Sequence, residues 1–240
     1  MGYTFSTHEN GNEYAVPCEC LDLLIMQNKL EFANIPPEFE GYTVDSFDLS
    51  LYQSPEAREK ARMAKLLCAN YVRDFLQIQP EGKGLYLYSH TKGSGKTRMA
   101  AGIANDIIKK YRISVKFTTG LQILGEIKNS WHQDTKDGDG EQRFIQDIIR
   151  VPVLVIDDIG VEKSTPWVDE KFYEILDGRM VCKQVTIFTS NCQMEALKLD
   201  ERTVSRIIKM ALPVPFPDES VRLKLAKSEN KELYKMLLGG

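Results

Sequence analysis

The chain of 240 residues has 31 basic and 34 acidic side chains, a net charge of −3, with 42% hydrophobic and 27% charged residues. This is an ordinary soluble globular composition with no global basic field, so any contact with nucleic acid must come from local patches. The N-terminus lacks a charged start followed by an apolar run, no stretch approaches the roughly 20 apolar residues of a membrane helix, and a cytoplasmic location without membrane contact is expected. The length suits one full α/β domain with a small appendage. Of the five cysteines, Cys68, Cys182 and Cys192 lie in periodic segments that read as core, and only Cys18 and Cys20 are close enough to discuss as chemistry.

Residues 1–54 are weakly periodic, are broken by Ile35-Pro36-Pro37 and Gly41, and read as an arm or a fragment of a separate module. From Pro55, apolar side chains at Ala57, Ala61, Ala64, Cys68, Tyr71, Phe75 and Ile78 recur at steps of four and three, which predicts one helix ending before Pro80. A short buried strand from Gly84, a glycine-rich turn and an alanine-rich helix follow. Ile113 to Thr118 alternates as a strand, Leu121 to Trp131 reads as a helix, and Asp134 to Glu141 as an acidic mobile loop. Phe144, Ile145, Ile148 and Ile149 predict a short helix, and Val151 to Ile156 a strand covered on both faces. A helix over Trp167 to Val181, a strand over Val185 to Thr189 and two or three short helices complete the chain. This alternation predicts a parallel sheet between helix layers, with ligands at the C-terminal strand ends.

The turn His90-Thr91-Lys92-Gly93-Ser94-Gly95-Lys96-Thr97, opening into Arg98, has the chemistry of a phosphate cradle. Gly93 and Gly95 let backbone N–H groups turn inward, the helix N-terminus adds its positive dipole end, Lys96 reaches the outer phosphates, and Thr97 offers a hydroxyl to Mg2+. The usual pattern has glycine where His90 stands, so altered affinity or turnover is expected. A surface turn before a helix is the bland alternative, against which strand, turn and helix agree. The strand end Val155-Ile156-Asp157-Asp158-Ile159-Gly160 supplies two carboxylates, Asp157 suited to a metal and Asp158 to polarising water. Asp158 is shorter than the glutamate common at its position, which points to slow turnover. A capped turn would use the same pair. Asn191, at the tip of the next strand, can hold an attacking water, although by itself it would be a strand-end turn. Arg202 and Arg206 lie four apart on one helical face, where solvated arginines are common, and Arg222 opens the last helix.

In this order the phosphate turn, Asp157-Asp158, Phe188-Thr189-Ser190-Asn191, Glu201-Arg202-Thr203-Val204-Ser205-Arg206-Ile207 and Glu219-Ser220-Val221-Arg222 resemble the AAA+ helicase loaders of the DnaC/DnaI type, with IstB-type transposition helpers as relatives. The likeness runs over about residues 30 to 226. It implies a P-loop AAA+ five-stranded parallel sheet between helix layers over residues 55–228, a short N-terminal arm, no large C-terminal lid and a tail over 229–240. It implies ATP or ADP held by His90 to Arg98 and Arg222, and Mg2+ on Thr97 and Asp157. Lys96 and Thr97 become Walker A residues, Asp157 and Asp158 Walker B, Asn191 sensor 1, Arg222 sensor 2 and Arg206 the arginine acting on a neighbouring subunit, with Arg202 the lesser candidate.

The implied partners are a replicative helicase hexamer, single-stranded DNA and further copies of the chain in a ring or spiral. Lys109, Lys110, Arg112, Lys116 and Lys128 could contact DNA phosphates, and a helical insertion of the initiator type is expected between about Leu121 and Arg150; a solvated surface accounts for these cations equally well. Relatives begin with a zinc ribbon that contacts the helicase. Here Gly2-Tyr3 and Cys18-Glu19-Cys20 read as its remnant, starting just after a missing first pair. Two thiolates are half of a tetrahedral site, and even with His8 as a third ligand no zinc is expected. The alternatives are a transposition helper or a nucleotide-gated, single-stranded-DNA-binding switch with little turnover. A small-molecule kinase is disfavoured, because its lid should carry arginines where this loop is acidic.

Overall fold

The computed structural model describes residues 3–7, 13–17, 19–130 and 140–237. Its centre is a five-stranded sheet in the order β4-β5-β6-β3-β7, every neighbouring pair parallel. The strands are β3 (Gly84–Tyr88), β4 (Val115–Thr119), β5 (Val153–Asp157), β6 (Val185–Ser190) and β7 (Ala211–Pro215). Alternation along each strand decides which helices cover which face. Leu85, Leu87, Val115, Phe117, Val153, Val155, Val185, Ile187 and Val214 face the layer of α1 (Glu19–Ala33), α2 (Pro55–Arg73) and α4 (Lys96–Tyr111). Tyr86, Leu154, Ile156 and Phe188 face the other layer, built by α5 (Gly120–Ser130), α6 (Gly140–Arg150), α7 (Pro166–Val181) and α8 (Glu201–Met210).

Local chemistry sets the helix ends. The Ser54 side chain accepts from the Ala57 N–H, with Pro55 in the first turn of α2. The helix expected through Ile78 breaks at Asp74 and resumes as α3 (Phe75–Ile78), where fully buried Phe75 packs 5.8 Å from the rings of both Tyr71 and Tyr111. The C-terminal region, read from sequence as short helices only, also contains β7. Pro213 and Pro215 hid it, because proline cannot donate to a ladder. It is tolerated here since β7 is an edge strand. The last helix, α9, runs over Arg222–Leu237.

The N-terminal residues form the antiparallel pair β1 (Tyr3–Thr7) and β2 (Glu13–Pro17), then α1. Ala33, Ile35, Val44, Phe47 and Tyr52 lie in one buried cluster with α2 and α4, so packing continues across residue 54, where an arm was expected to end. Cys18 and His8 lie outside the described residues, as does the expected acidic loop over 134–139. Glu141 belongs to α6, 2.6 Å from Lys171. Cys68 is buried, whereas Cys182 is exposed, because it caps the C-terminus of α7. Among the described residues no helix is long and apolar enough to cross a membrane.

One buried cation ties the layers together. Arg179 of α7 is 0% exposed. Its guanidinium donates to Thr186 Oγ1 at 2.9 Å, to the carbonyls of Ile148, Ile149 and Val151 at 2.6, 3.2 and 2.9 Å, and to that of Val185 at 2.6 Å. These acceptors include the C-terminal carbonyls of α6, where a positive charge meets the negative end of the helix dipole. Burial pulls the guanidinium pKa down to about 9. Arg179→Met would leave all five acceptors without their donor, and a loss of about 3 kcal/mol or more is expected in a urea unfolding series.

Candidate nucleotide-binding site

The parallel register brings three strand ends to one level. Tyr88 pairs with Ser190, and Ile156 with Phe188, so the turn after β3, the acids ending β5 and the polar end of β6 converge. The turn after β3 is held from several sides. The one proton of the Ser89 hydroxyl is shared between the Pro217 carbonyl at 2.8 Å and Asp218 Oδ1 at 3.0 Å, and the His90 N–H donates to the same carboxylate at 3.1 Å. The Gly93 carbonyl accepts from the Val221 N–H at 2.9 Å, which fastens the turn to the base of α9. The Tyr52 hydroxyl donates to the Ser94 carbonyl at 2.7 Å.

Two glycines are required by this shape. Gly93 and Gly95 have φ of +75° and +94°. A Cβ on Gly95 would stand 2.9 Å from the Phe47 ring and from the Tyr52 hydroxyl. Lys96 opens α4, and its Nζ donates to the Thr91 carbonyl at 3.1 Å and to Ser94 Oγ at 3.2 Å. Burial holds its pKa below the usual lysine range, opposed by the charges of Asp158 and Asp157.

Asp157 is buried at the end of β5 and Asp158 follows in a left-handed conformation with φ +54°. The Thr189 hydroxyl joins them: it donates to Asp157 Oδ1 at 2.6 Å and accepts from the Asp158 N–H at 2.9 Å. Burial raises the Asp157 carboxyl above its ordinary value, the hydrogen bond from Thr189 lowers it, Asp158 raises it, and a hydrogen bond with Thr97 lowers it. Asn191 Nδ2 donates to Asp158 Oδ1 at 3.3 Å.

These groups border a cleft of about 650 Å³ lined by Lys92 to Arg98, Asp158, Asn191 and Arg222, the size of a small-ligand pocket. Asp157 lies behind it. His90 and Thr91 belong to the turn but not to the lining. The floor pairs a hydroxyl with a carboxylate, hard oxygen donors that suit Mg2+, beside a buried ammonium and a helix N-terminus that suit phosphate. The residue types fit a magnesium nucleotide. The sequence reading missed Glu38, Phe39 and Tyr42, which line the cleft from the segment before α2, with the Arg98 guanidinium 4.0 Å from the Tyr42 ring centroid. The only signal for Phe39 and Tyr42 is that they are aromatic residues in an aperiodic, proline-broken stretch, and Glu38 has none. It also missed Thr189, whose role depends on the register of β5 and β6.

Other expected residues are not brought to the cleft. Arg206 lies on α8, bonded to Asp177 and Tyr173 of α7. The five cations considered for DNA have separate surroundings. Lys109 and Lys110 border a groove with Arg73, Arg112 meets Met26, Lys116 lies over Phe32, and Lys128 over Trp167.

A parallel sheet between helix layers, with a phosphate turn and two acids at its C-terminal edge, defines a P-loop fold of the AAA+ type. The chain belongs to the family of IstB-like ATP binding proteins, whose pattern matches residues 26–229. It is 32% identical over 190 residues to the replicative helicase loader DnaI of Bacillus subtilis, covering 71% of this chain and 58% of that one. It is 26% identical over 208 residues to the replicative helicase loader DnaC of Escherichia coli, covering 85% and 78%. The fold matches the crystal structure of the DnaI with a TM-score of 0.61 at 29% identity, over 76% of this chain and 94% of that one. The chain thus spans little more than half the length of the full DnaI relative.

The raised Asp157 pKa yields a test. The native state keeps this proton to higher pH than the unfolded chain, whose carboxyl titrates near the ordinary aspartate value of 3.8. Ionisation at neutral pH therefore opposes folding, and Asp157→Asn is expected to raise the unfolding temperature of the nucleotide-free protein by a few degrees. The gain is full above the native pKa and vanishes below the unfolded one, where both states are protonated. Thermal scans of both proteins from pH 3 to pH 8 read the difference.

Proposed function

We propose that this chain is an ATP-hydrolysing AAA+ protein that loads a replicative DNA helicase onto single-stranded DNA. The observation that carries this reading is the convergence of Lys96, Thr97, Asp158, Asn191 and Arg222 on one cleft, with Asp157 behind it, in a chain related to DnaI and DnaC.

In this reading the N–H groups of Lys92 to Thr97 and the Lys96 ammonium bind the phosphate chain, and the Arg222 guanidinium meets it from the base of α9. Thr97 and Asp157 would hold Mg2+, which would neutralise charge on the outer phosphates. Asp158 accepts a proton from, or orients, the attacking water, and Asn191 fixes the direction of that carboxylate. Thr189 keeps both acids in place through one hydroxyl. Phe39 and Tyr42 supply apolar and aromatic surface for the rest of the nucleotide. Arg206, held away from its own cleft, acts on the phosphates of a neighbouring copy, so turnover requires self-association.

Lys96→Ala is expected to reduce ATP turnover at least about 100-fold, since it removes the cation on the phosphates. Thr189→Val should raise the Mg2+ concentration needed for half-maximal turnover several-fold, with Thr189→Ser close to the parent; a Mg2+ titration of initial rates reads both. The partner is tested by pull-down with the chain as bait against purified replicative helicase and against an IS21-type transposase. Retention of the helicase supports the loader, and retention of transposase alone overturns it in favour of a transposition helper.

A further inference from the structure

The surface on which Arg206 lies is more organised than an arginine on a solvated helix requires. Tyr173 and Asp177 stand four residues apart on one face of α7, and Arg202 and Arg206 four apart on α8, which packs against it. Arg206 Nε donates to Asp177 Oδ1 at 2.8 Å, and Nη2 donates to the Tyr173 hydroxyl at 2.8 Å. Its guanidinium carbon also lies 4.4 Å from the centroid of the Tyr173 ring. Nη1 donates to the Arg202 carbonyl at 3.3 Å. Arg202 lies over the same ring at 4.8 Å, but its nearest carboxylate, Asp200, is 3.6 Å away and its side chain is 69% exposed. Arg206 is 23% exposed. The two arginines therefore share an aromatic ring, yet only one has its plane fixed.

We propose that Tyr173 and Asp177 are positioning residues that hold Arg206 in the pose from which it reaches the phosphates bound by a second copy of this chain. The inference rests on the reading of Arg206 as the arginine acting between subunits. A guanidinium has five N–H groups in one plane. Three are engaged among the described residues, leaving one on each terminal nitrogen, the pair that meets two oxygens of a phosphate side by side. The Nε–Asp177 bond sets the rotation of the fork about its stem, and the Tyr173 ring and hydroxyl limit its swing. An arginine ordered beforehand loses less rotamer freedom when a phosphate arrives, so the gain appears in the chemical step. Asp177 also offsets part of the repulsion between the two neighbouring guanidiniums.

Mixed copies of the full chain, assayed for ATP turnover with single-stranded DNA, test this. A Lys96→Ala copy contributes its arginine but no competent nucleotide site, and an Arg206→Ala copy contributes a nucleotide site but no arginine; their mixture should recover turnover that neither has alone. Tyr173→Ala placed in the Lys96→Ala copy should lower that recovered kcat about tenfold or more with KM for ATP unchanged, whereas in the Arg206→Ala copy it should change nothing. Tyr173→Phe, which keeps the ring and loses the hydroxyl, should lose only about threefold in the first copy and secures the test against misfolding of the alanine variant. Unchanged turnover with Tyr173→Ala in the arginine-donating copy overturns the inference, as does an equal loss in both copies, which would mark Tyr173 as a brace between helices. If Arg206→Ala alone keeps full turnover, the reading of Arg206 fails and the inference falls with it.

Discussion

A single hydroxyl, that of Thr189, joins two neighbouring strands at the point where the sheet meets the cleft. It can do so only because β5 and β6 are parallel and in register, with Ile156 beside Phe188, so that Asp157 and Thr189 emerge side by side. Every strand end the site uses depends on that alignment. β3, on the other side of β6, delivers its turn at the same level, and Lys96 lies there within the field of the two acids. The cost is visible in the raised carboxyl of Asp157 and the lowered ammonium of Lys96, both caused first by burial. Strained protonation of this kind is common where charge is stored for binding.

The cleft is also closed by parts of the chain far apart in sequence. Tyr52 holds the Ser94 carbonyl from the segment before α2, and Phe39 and Tyr42 line the opening. From the other end, Asp218 grips the start of the phosphate turn, while Lys60 Nζ lies 3.0 Å from its second oxygen. Glu219 accepts from the Gln53 N–H at 2.9 Å, so the C-terminal segment is bonded to the chain on both sides of α2. His90 acquires a physical account here. Its backbone N–H is held by Asp218, and its exposed side chain lies outside the lining of the cleft.

Much of this was legible in the sequence because the signals were local. The steps of four and three from Ala57 to Tyr71 are a helix face, and Val153 to Ile156 is a strand buried on both sides. The phosphate turn could be read because glycine, lysine and threonine spacing is itself the chemistry. What failed to show was non-local or contradicted by propensity. β7 carries two prolines and exists because an edge position tolerates them. Phe39, Tyr42, Phe47 and Tyr52 sit in a stretch without period, and only the fold reveals that they pack on the core and the turn. Thr189 stands in the Phe188 to Asn191 motif with no role visible from sequence, and Tyr173 lies in no motif. Their partners are 32 and 33 residues away, and the contact follows from strand register and helix packing.

The proposed loading function requires that occupancy of this cleft govern how the chain engages single-stranded DNA. Its most direct measurement is the fluorescence anisotropy of a labelled oligonucleotide titrated with the full chain under ATP, ADP and no nucleotide. Binding about tenfold tighter with ATP than in the other two states is expected, with that difference lost in Lys96→Ala. Equal affinity in all three states would contradict it.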